Sequence, residues 1–254
     1  FLQIGPLARS VDDLEVALAA IAGPDGKQSM VPPVPFPVTC RQLTKDLRVG
    51  VLEGNGAIPI ARAVREGIVR AADAAAGLGC RVASAALDHV EDVVVCMSRF
   101  FGVALADLVR DVRAHPEAYH PYLSELAAGV PSPSSEEMAE AFRLREELRS
   151  RMMACFERHD VLICPQATVP AFPIGTTATV MVDGAEVPLF AILAYSLLTN
   201  ATGNPALVIP TGLADGLPIG VQLVGRMWDE PTLFTFARPL LAALGGVPRP
   251  PELT

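Results

Sequence analysis

Seven positions in the carboxy-terminal part of the chain could hold a polar ligand: Gln166, Thr168, Asn200, Thr202, Gly203, Asn204 and Gln222. Gln166 and Thr168 follow the apolar run Val161 to Cys164, and Asn200 to Asn204 form a Gly-containing turn before the run Ala206 to Pro210. In open α/β sheets ligands gather beyond the carboxyl ends of strands, so these two loops are where a pocket is expected. The chemistry on offer is hydrogen bonding by amides, hydroxyls and backbone. The same residues also serve as turn chemistry, since Asn and Thr beside Gly203 and Pro205 cap and bend the chain. Gln222, inside a strand, reads as a pocket floor or as a satisfied core amide.

Groups able to break a covalent bond are scarce. Cys164 ends a strand beside a loop, where a nucleophile can sit, yet no His, Glu or Lys is near it in sequence to activate it. With Cys40, Cys80, Cys96 and Cys155 it makes an odd set of five without close pairs, which favours buried thiols in a reducing, cytoplasmic compartment over a disulfide framework or a zinc knuckle. His115 and His120 stand five apart, off a common helical face and without an acidic cluster, and His89 and His159 are isolated, so neither a metal site nor a Ser-His-Asp triad is expected. The only lysines, Lys27 and Lys45, flank a Pro-rich run, with no sign of the desolvation that lowers a lysine pKa. Pro131-Ser-Pro-Ser-Ser135 reads as a helix N-cap ahead of Glu136 and Glu137. No cofactor is expected.

The elements that must position these groups alternate between two periods. A helix over Ser10 to Ala22, with Asp13 three residues after its Ser10 cap, leads into a Pro-rich connector, 23–46. Leu47 to Leu52 and Cys80 to Ala85 read as strands joined by the Ala-rich helix Ile60 to Leu78, a unit that predicts parallel neighbours with a right-handed crossover. Helical patterns follow over Val90 to Val112, Pro116 to Ala128 and Ser135 to His159. Then come the strand Val161 to Cys164, a hairpin around Asp183-Gly184 and a short apolar helix from Leu189 to Leu198. Ala206 to Pro210 is a continuous apolar run, which suits a strand covered on both faces. Asp215-Gly216 supplies a two-residue hairpin loop, Ile219 to Val224 the return strand, and Asp229 to Leu244 a helix. The fold class is therefore α/β, a mixed sheet flanked by helices on both faces, in a single domain 1–254 whose tail, 248–254, reads as disordered.

With 254 residues, 51% of them hydrophobic and 19% charged, the chain can bury a sizeable core. A net charge of -8, with all but two of its 20 basic residues dispersed arginines, excludes a basic stripe for nucleic acid. The densest basic group, Arg143 to Arg158, is interleaved with acids on one helix, the pattern of a solvated face. No run reaches the 18 or so apolar residues of a membrane span. No nucleic-acid or membrane partner is expected.

The order of pieces in Asn200 to Gly225, followed by the Asp229 helix with Leu233, Phe236, Ala237 and Leu240, resembles the carboxy-terminal signature of the amidase signature family. Gly5-Pro6-Leu7-Ala8-Arg9-Ser10 is similar to the segment by which that family leaves its catalytic motif, and His159 to Pro170 to its buried strand and Pro-rich loop. The resemblance implies a soluble hydrolase acting on carbon-nitrogen bonds. In such enzymes a Lys draws a proton through a cis-Ser, a Ser nucleophile attacks the amide carbonyl, backbone N–H groups hold the oxyanion, and water releases the acid. Those serines and that lysine lie in a Gly/Ser-rich stretch upstream of the segment matched by Gly5 to Arg9. The expectation is thus the carboxy-terminal portion of an amidase, needing an amino-terminal half for catalysis on a small-molecule amide.

Two other readings of that resemblance stay open. One is a non-catalytic amidase-like binding protein, in which a homodimer or a complementing amino-terminal chain covers the exposed sheet edge. The other is an A-subunit-like fragment of a tRNA-dependent amidotransferase, for which an acidic residue upstream of the Asn/Gly/Pro turn would be expected; Phe190 to Thr199 has none. A third class, an enzyme centred on Cys164 or a histidine, rests on those residues alone.

Overall fold

Each element begins where local chemistry starts it. The computed structural model describes residues 3–27, 31, 33, 46–54, 56–130, 132–176 and 178–248. Cys40, Lys45, most of the 23–46 connector and the tail from 249 lie outside these. The first helix, α1 (Val11–Ile21), is capped as expected: the Asp13 N–H donates to Ser10 Oγ at 3.1 Å. Strand β1 (Arg48–Val51), helix α2 (Arg62–Gly77) and strand β2 (Arg81–Ser84) form the anticipated strand-helix-strand unit, with Val49 paired to Val82 in a parallel ladder.

The helical stretch from Val90 to Val112 is two helices, α3 (Asp92–Ala104) and α4 (Ala106–Ala114), broken at Leu105 with φ -106° and ψ 14°. Pro116 to Ala128 likewise divides, into a single 3-10 turn at Pro116–Ala118 and helix α5 (Pro121–Gly129). His120 caps α5, its Nδ1 accepting from the Tyr122 N–H, and His115 closes α4, so both histidines stand at helix ends. Helix α6 (Ser135–Arg158) opens with a reciprocal capping box between Ser134 and Glu137. Along it Arg151 pairs with Glu147 at 3.2 Å, the expected i,i+4 lacing.

Strand β3 (Val161–Pro165) follows, then the hairpin β4 (Thr179–Val182) and β5 (Ala185–Pro188). The apolar helix predicted from Leu189 starts later and ends later: one 3-10 turn precedes α7 (Ala194–Thr202). Strands β6 (Ala206–Ala214) and β7 (Leu217–Gly225) and helix α8 (Glu230–Ala243) complete the described chain. Both Asp-Gly pairs make two-residue turns with two positive φ values, 48° and 91° at Asp183-Gly184 and 50° and 78° at Asp215-Gly216, which twist the strands in the native sense.

The main sheet has the order β2-β1-β3-β7-β6, parallel on the β2 side and antiparallel from β3 onward. Its register sorts the side chains. Gln222 pairs with Cys164 and Val224 with Leu162 on one face, from which Gln222 reaches the Tyr195 carbonyl of α7; Leu223 pairs with Ile163 on the other, which packs under α2 and α8. One large apolar cluster fills both layers, and a small satellite of Val109, Val112 and Ala127 joins α4 to α5. Cys80, Cys96, Cys155 and Cys164 are buried and unpaired.

The expectation that Ala206 to Pro210 is covered on both faces does not hold. Burial alternates along β6, with Ile209 1% exposed and Val208 49% exposed. The reason is position: β6 is the sheet's edge, and in the described chain its outer face meets concave surface in place of a helix. An edge also tolerates Pro210, which sits beside a bulge between Pro210 and Gly212.

Charged residues fasten the ends of these elements. Arg238 on α8 pairs with Asp12 and the buried Glu15 of α1. Asp160, just before β3, accepts from the Arg48 backbone N–H at 3.0 Å and from its guanidinium at 2.7 Å and 3.2 Å, and from Arg226 at 3.3 Å. These hydrogen bonds, those of Arg48 foremost, lower the Asp160 pKa from 3.8 to about 2. A carboxylate whose folded pKa is depressed adds stability above its unfolded pKa and loses it as pH falls through the folded value. We therefore expect about 1–2 kcal/mol, after solvent screening, to be lost between pH 4 and pH 2 through this group. Urea midpoints measured across that range should show Asp160→Asn with a shallower acid limb than the parent; an unchanged limb contradicts the assignment.

Candidate functional site

Three concave surfaces, of about 550, 420 and 520 Å³, open around the amino-terminal part of α7, the loop after β3 and the outer face of β6. The sequence positions them simply. Residues 166–176, rich in Pro and small residues, cannot continue a strand or start a helix, so they run across the carboxyl end of β3 as a rim. Two backbone bonds fix the start of that rim: the Ala61 N–H donates to the Thr168 carbonyl at 2.8 Å, and the Thr168 N–H to the Ile192 carbonyl at 3.0 Å.

Ser196 is the junction. Its Oγ donates to the Gln166 carbonyl at 2.6 Å and accepts from Gln166 Nε2 at 3.4 Å, which joins α7 to the β3 loop. It borders the second and third cavities, as does half-buried Asn200 one helical turn later. Gln222, on the floor of the second cavity, donates from Nε2 to the Tyr195 carbonyl at 3.3 Å and to Cys164 Sγ at 3.4 Å. Gln166 lines the first cavity with His120, Tyr122 and Phe172. The segment Gln3 to Ala8 forms one wall of the second cavity.

The seven positions named from the sequence therefore divide. Gln166, Asn200 and Gln222 reach the cavities. Thr202, Gly203 and Asn204 turn to the backbone: Thr202 Oγ1 donates to the Leu198 carbonyl at 2.9 Å, and Asn204 Nδ2 to the Gly225 carbonyl at 2.9 Å. Gly203 ends α7 with φ 83°, a left-handed cap that a side chain would strain. Asn200 and Thr202, expected in the turn, belong to the helix. Thr168 is fully buried, with its Oγ1 unpartnered. The sequence reading missed Ser196, whose only signal was its i,i+4 spacing from Asn200 on α7.

Cys164 does not suit nucleophilic work. It is wholly buried, and desolvation pushes its thiol up to about 12 against the weaker opposing effect of the Gln222 hydrogen bond. Among the described residues no group of three His, Cys, Asp or Glu could hold a metal ion, and no helix is long and apolar enough to cross a membrane. Lys27, the one lysine among them, is exposed and borders none of the three cavities. What the arrangement offers is a hydrogen-bonding centre of uncharged side chains, Gln222, Ser196, Asn200 and Gln166, between largely apolar walls on which Glu230 and Glu125 are the charged residues of the second and third cavities.

Comparison with known proteins fits this architecture. The family model described as Amidase matches residues 1–234. A glutamyl-tRNA(Gln) amidotransferase subunit from Lysinibacillus sphaericus (strain C3-41) is 29% identical over 92% of this chain and 53% of its own length. The fold is that of a bacterial aryl acylamidase of the amidase signature enzymes, with a TM-score of 0.80 and 22% identity over 96% of this chain and 55% of that one. A 6-aminohexanoate cyclic dimer hydrolase is similar, with a TM-score of 0.79, 24% identity and the same coverage. The chain spans about half the length of the curated relatives it matches. With a match running through both the β3 loop and the β6–β7 hairpin, the chain belongs to the amidase family.

Proposed function

We propose that this chain supplies the substrate-holding portion of an amide hydrolase site, completed by a serine nucleophile and a lysine from a complementing amino-terminal portion. One observation carries the reading: in a chain of the amidase family, Gln222, Ser196, Asn200 and Gln166 converge beyond the carboxyl end of β3, beside the wall formed by Gln3 to Ala8. Amide and hydroxyl groups placed this way hold an amide's carbonyl and N–H without adding charge. Attack by the serine then forms an ester to the acyl group and releases ammonia or an amine, and water cleaves the ester to the acid. The complementing portion, or a second copy, would also cover the β6 edge and its exposed Val208.

Labelling with a serine-directed fluorophosphonate tests this reading. The label is expected on a serine of the complementing portion and on none in these 254 residues. Label on Ser196 would contradict it. The amidotransferase relatives favour a second reading, in which the same site takes the amide of glutamine and passes its ammonia to an acceptor. Product analysis separates the two: free ammonia from simple amides supports hydrolysis, and acceptor-dependent loss of ammonia from glutamine supports transfer.

A further inference from the structure

The third cavity, about 520 Å³, sits between α3–α5 and α7 and shares Ser196 and Asn200 with the hydrogen-bonding centre. Its walls are Phe101, Leu105, Leu126, Phe190, Leu193 and Leu197, and Glu125 is the one charged side chain among the described residues that line it. The size is within the range of pockets that enclose small ligands. No Arg or Lys lines any of the three cavities among the described residues. The histidine at the first cavity, His120, caps α5 through the Tyr122 N–H and does not line the third.

From this geometry we infer that the substrate is an uncharged amide with an aryl or alkyl group seated in the third cavity, and that a free amino acid such as glutamine is a poor ligand of that cavity. Calling the ligand a substrate rests on the hydrolase reading above. The amide end meets Ser196 and Asn200 at the shared rim, and the apolar group points between Phe101, Leu126 and Phe190. Glutamine carries an α-carboxylate and an α-ammonium. Glu125 could pair with the ammonium, but the third cavity's described walls hold no Arg, Lys or His for the carboxylate, and an unpaired charge loses its hydration without compensation.

Ligand-observed NMR on the 254-residue chain, titrated with phenylacetamide, 3-phenylpropanamide, 4-phenylbutanamide and glutamine, tests the inference. Affinity is expected to rise up to about fourfold for each methylene that reaches the pocket. Glutamine should not displace 4-phenylbutanamide. Leu193→Asp, a change at a residue exposed enough to spare the fold, should weaken 4-phenylbutanamide at least tenfold with an unchanged melting temperature, and Leu126→Trp, which fills the pocket, should do the same. Glutamine binding as tightly as 4-phenylbutanamide, no dependence on chain length, or no loss in either variant would overturn it. Binding of the amides by a protein that, with its complementing portion, releases no ammonia would support the pocket and sink the hydrolase reading. Ammonia release that is indifferent to the apolar group would do the reverse.

Discussion

Phe236→Ala is expected to lower the melting temperature by about 10 °C, a larger stability loss than that of any other change proposed for this chain. Phe236 is wholly buried on α8, the helix laid against β6 and β7. Truncating such a ring removes its burial and leaves a cavity that the neighbouring helix and strands can only partly close, at a cost of about 3–5 kcal/mol. For a chain of this size each kcal/mol moves the midpoint by about 2–4 °C. Leu233 and Leu240, on the same helix, are also buried, so the gap has rigid walls. Calorimetry checks it, and a shift under about 3 °C would mean that α8 is not fixed to the sheet as described. Because β7 carries Gln222, a sample held near its lowered midpoint should lose ligand binding together with structure.

The second large effect is expected at Ser196. Replacing it with Phe puts a ring at the rim shared by the second and third cavities, and in the completed enzyme kcat/KM for a simple amide should fall about 100-fold or more through displaced substrate. Ser196→Ala should cost far less activity, since it adds no obstruction. It would cost stability of about 1–3 kcal/mol, because the Gln166 carbonyl loses its donor at 2.6 Å. The contrast between the two variants is the informative readout. A structural role alone predicts that Ala and Phe both act through stability, whereas a place at the substrate predicts a kinetic loss for Phe in a folded protein. Unchanged kcat/KM in Ser196→Phe would remove the site from this location.

How far the sequence reaches can be read from particular residues. The two Asp-Gly turns were legible because a tight hairpin needs two positive φ values and few residue pairs supply them. The Ser134–Glu137 cap and the parallel β1–β2 pair were legible for similar reasons: local chemistry, or a short crossover, leaves one solution. The break at Leu105 was hidden, since neither Pro nor a loop signal marks it and the helix runs through Gly102 without interruption. The open face of β6 was hidden too. A run such as Ala206 to Pro210 reports that its residues are apolar, while its place at the sheet edge is set by strands far away in sequence.

The candidate site divides in the same way. Gln222 stood out because an amide inside an apolar strand calls for a partner, and it has partners in Tyr195 and Cys164. Asn200 stood out for the wrong reason, as a turn residue, and reaches the cavity from a helix. Ser196 was invisible because its role depends on Gln166, thirty residues away, whose carbonyl it meets only after β3 and α7 have packed. Thr202, Gly203 and Asn204 show the opposite case, where residues with polar chemistry end and brace a helix.

Ammonia release is the most direct test of the proposed division of labour, measured on phenylacetamide with the 254-residue chain alone and with the chain joined to a portion carrying the family's Ser, cis-Ser and Lys. No release above the buffer rate is expected from the chain alone, and steady turnover once the two portions are joined. Turnover by the chain alone, or none from a folded, joined protein across a panel of uncharged amides, would contradict it.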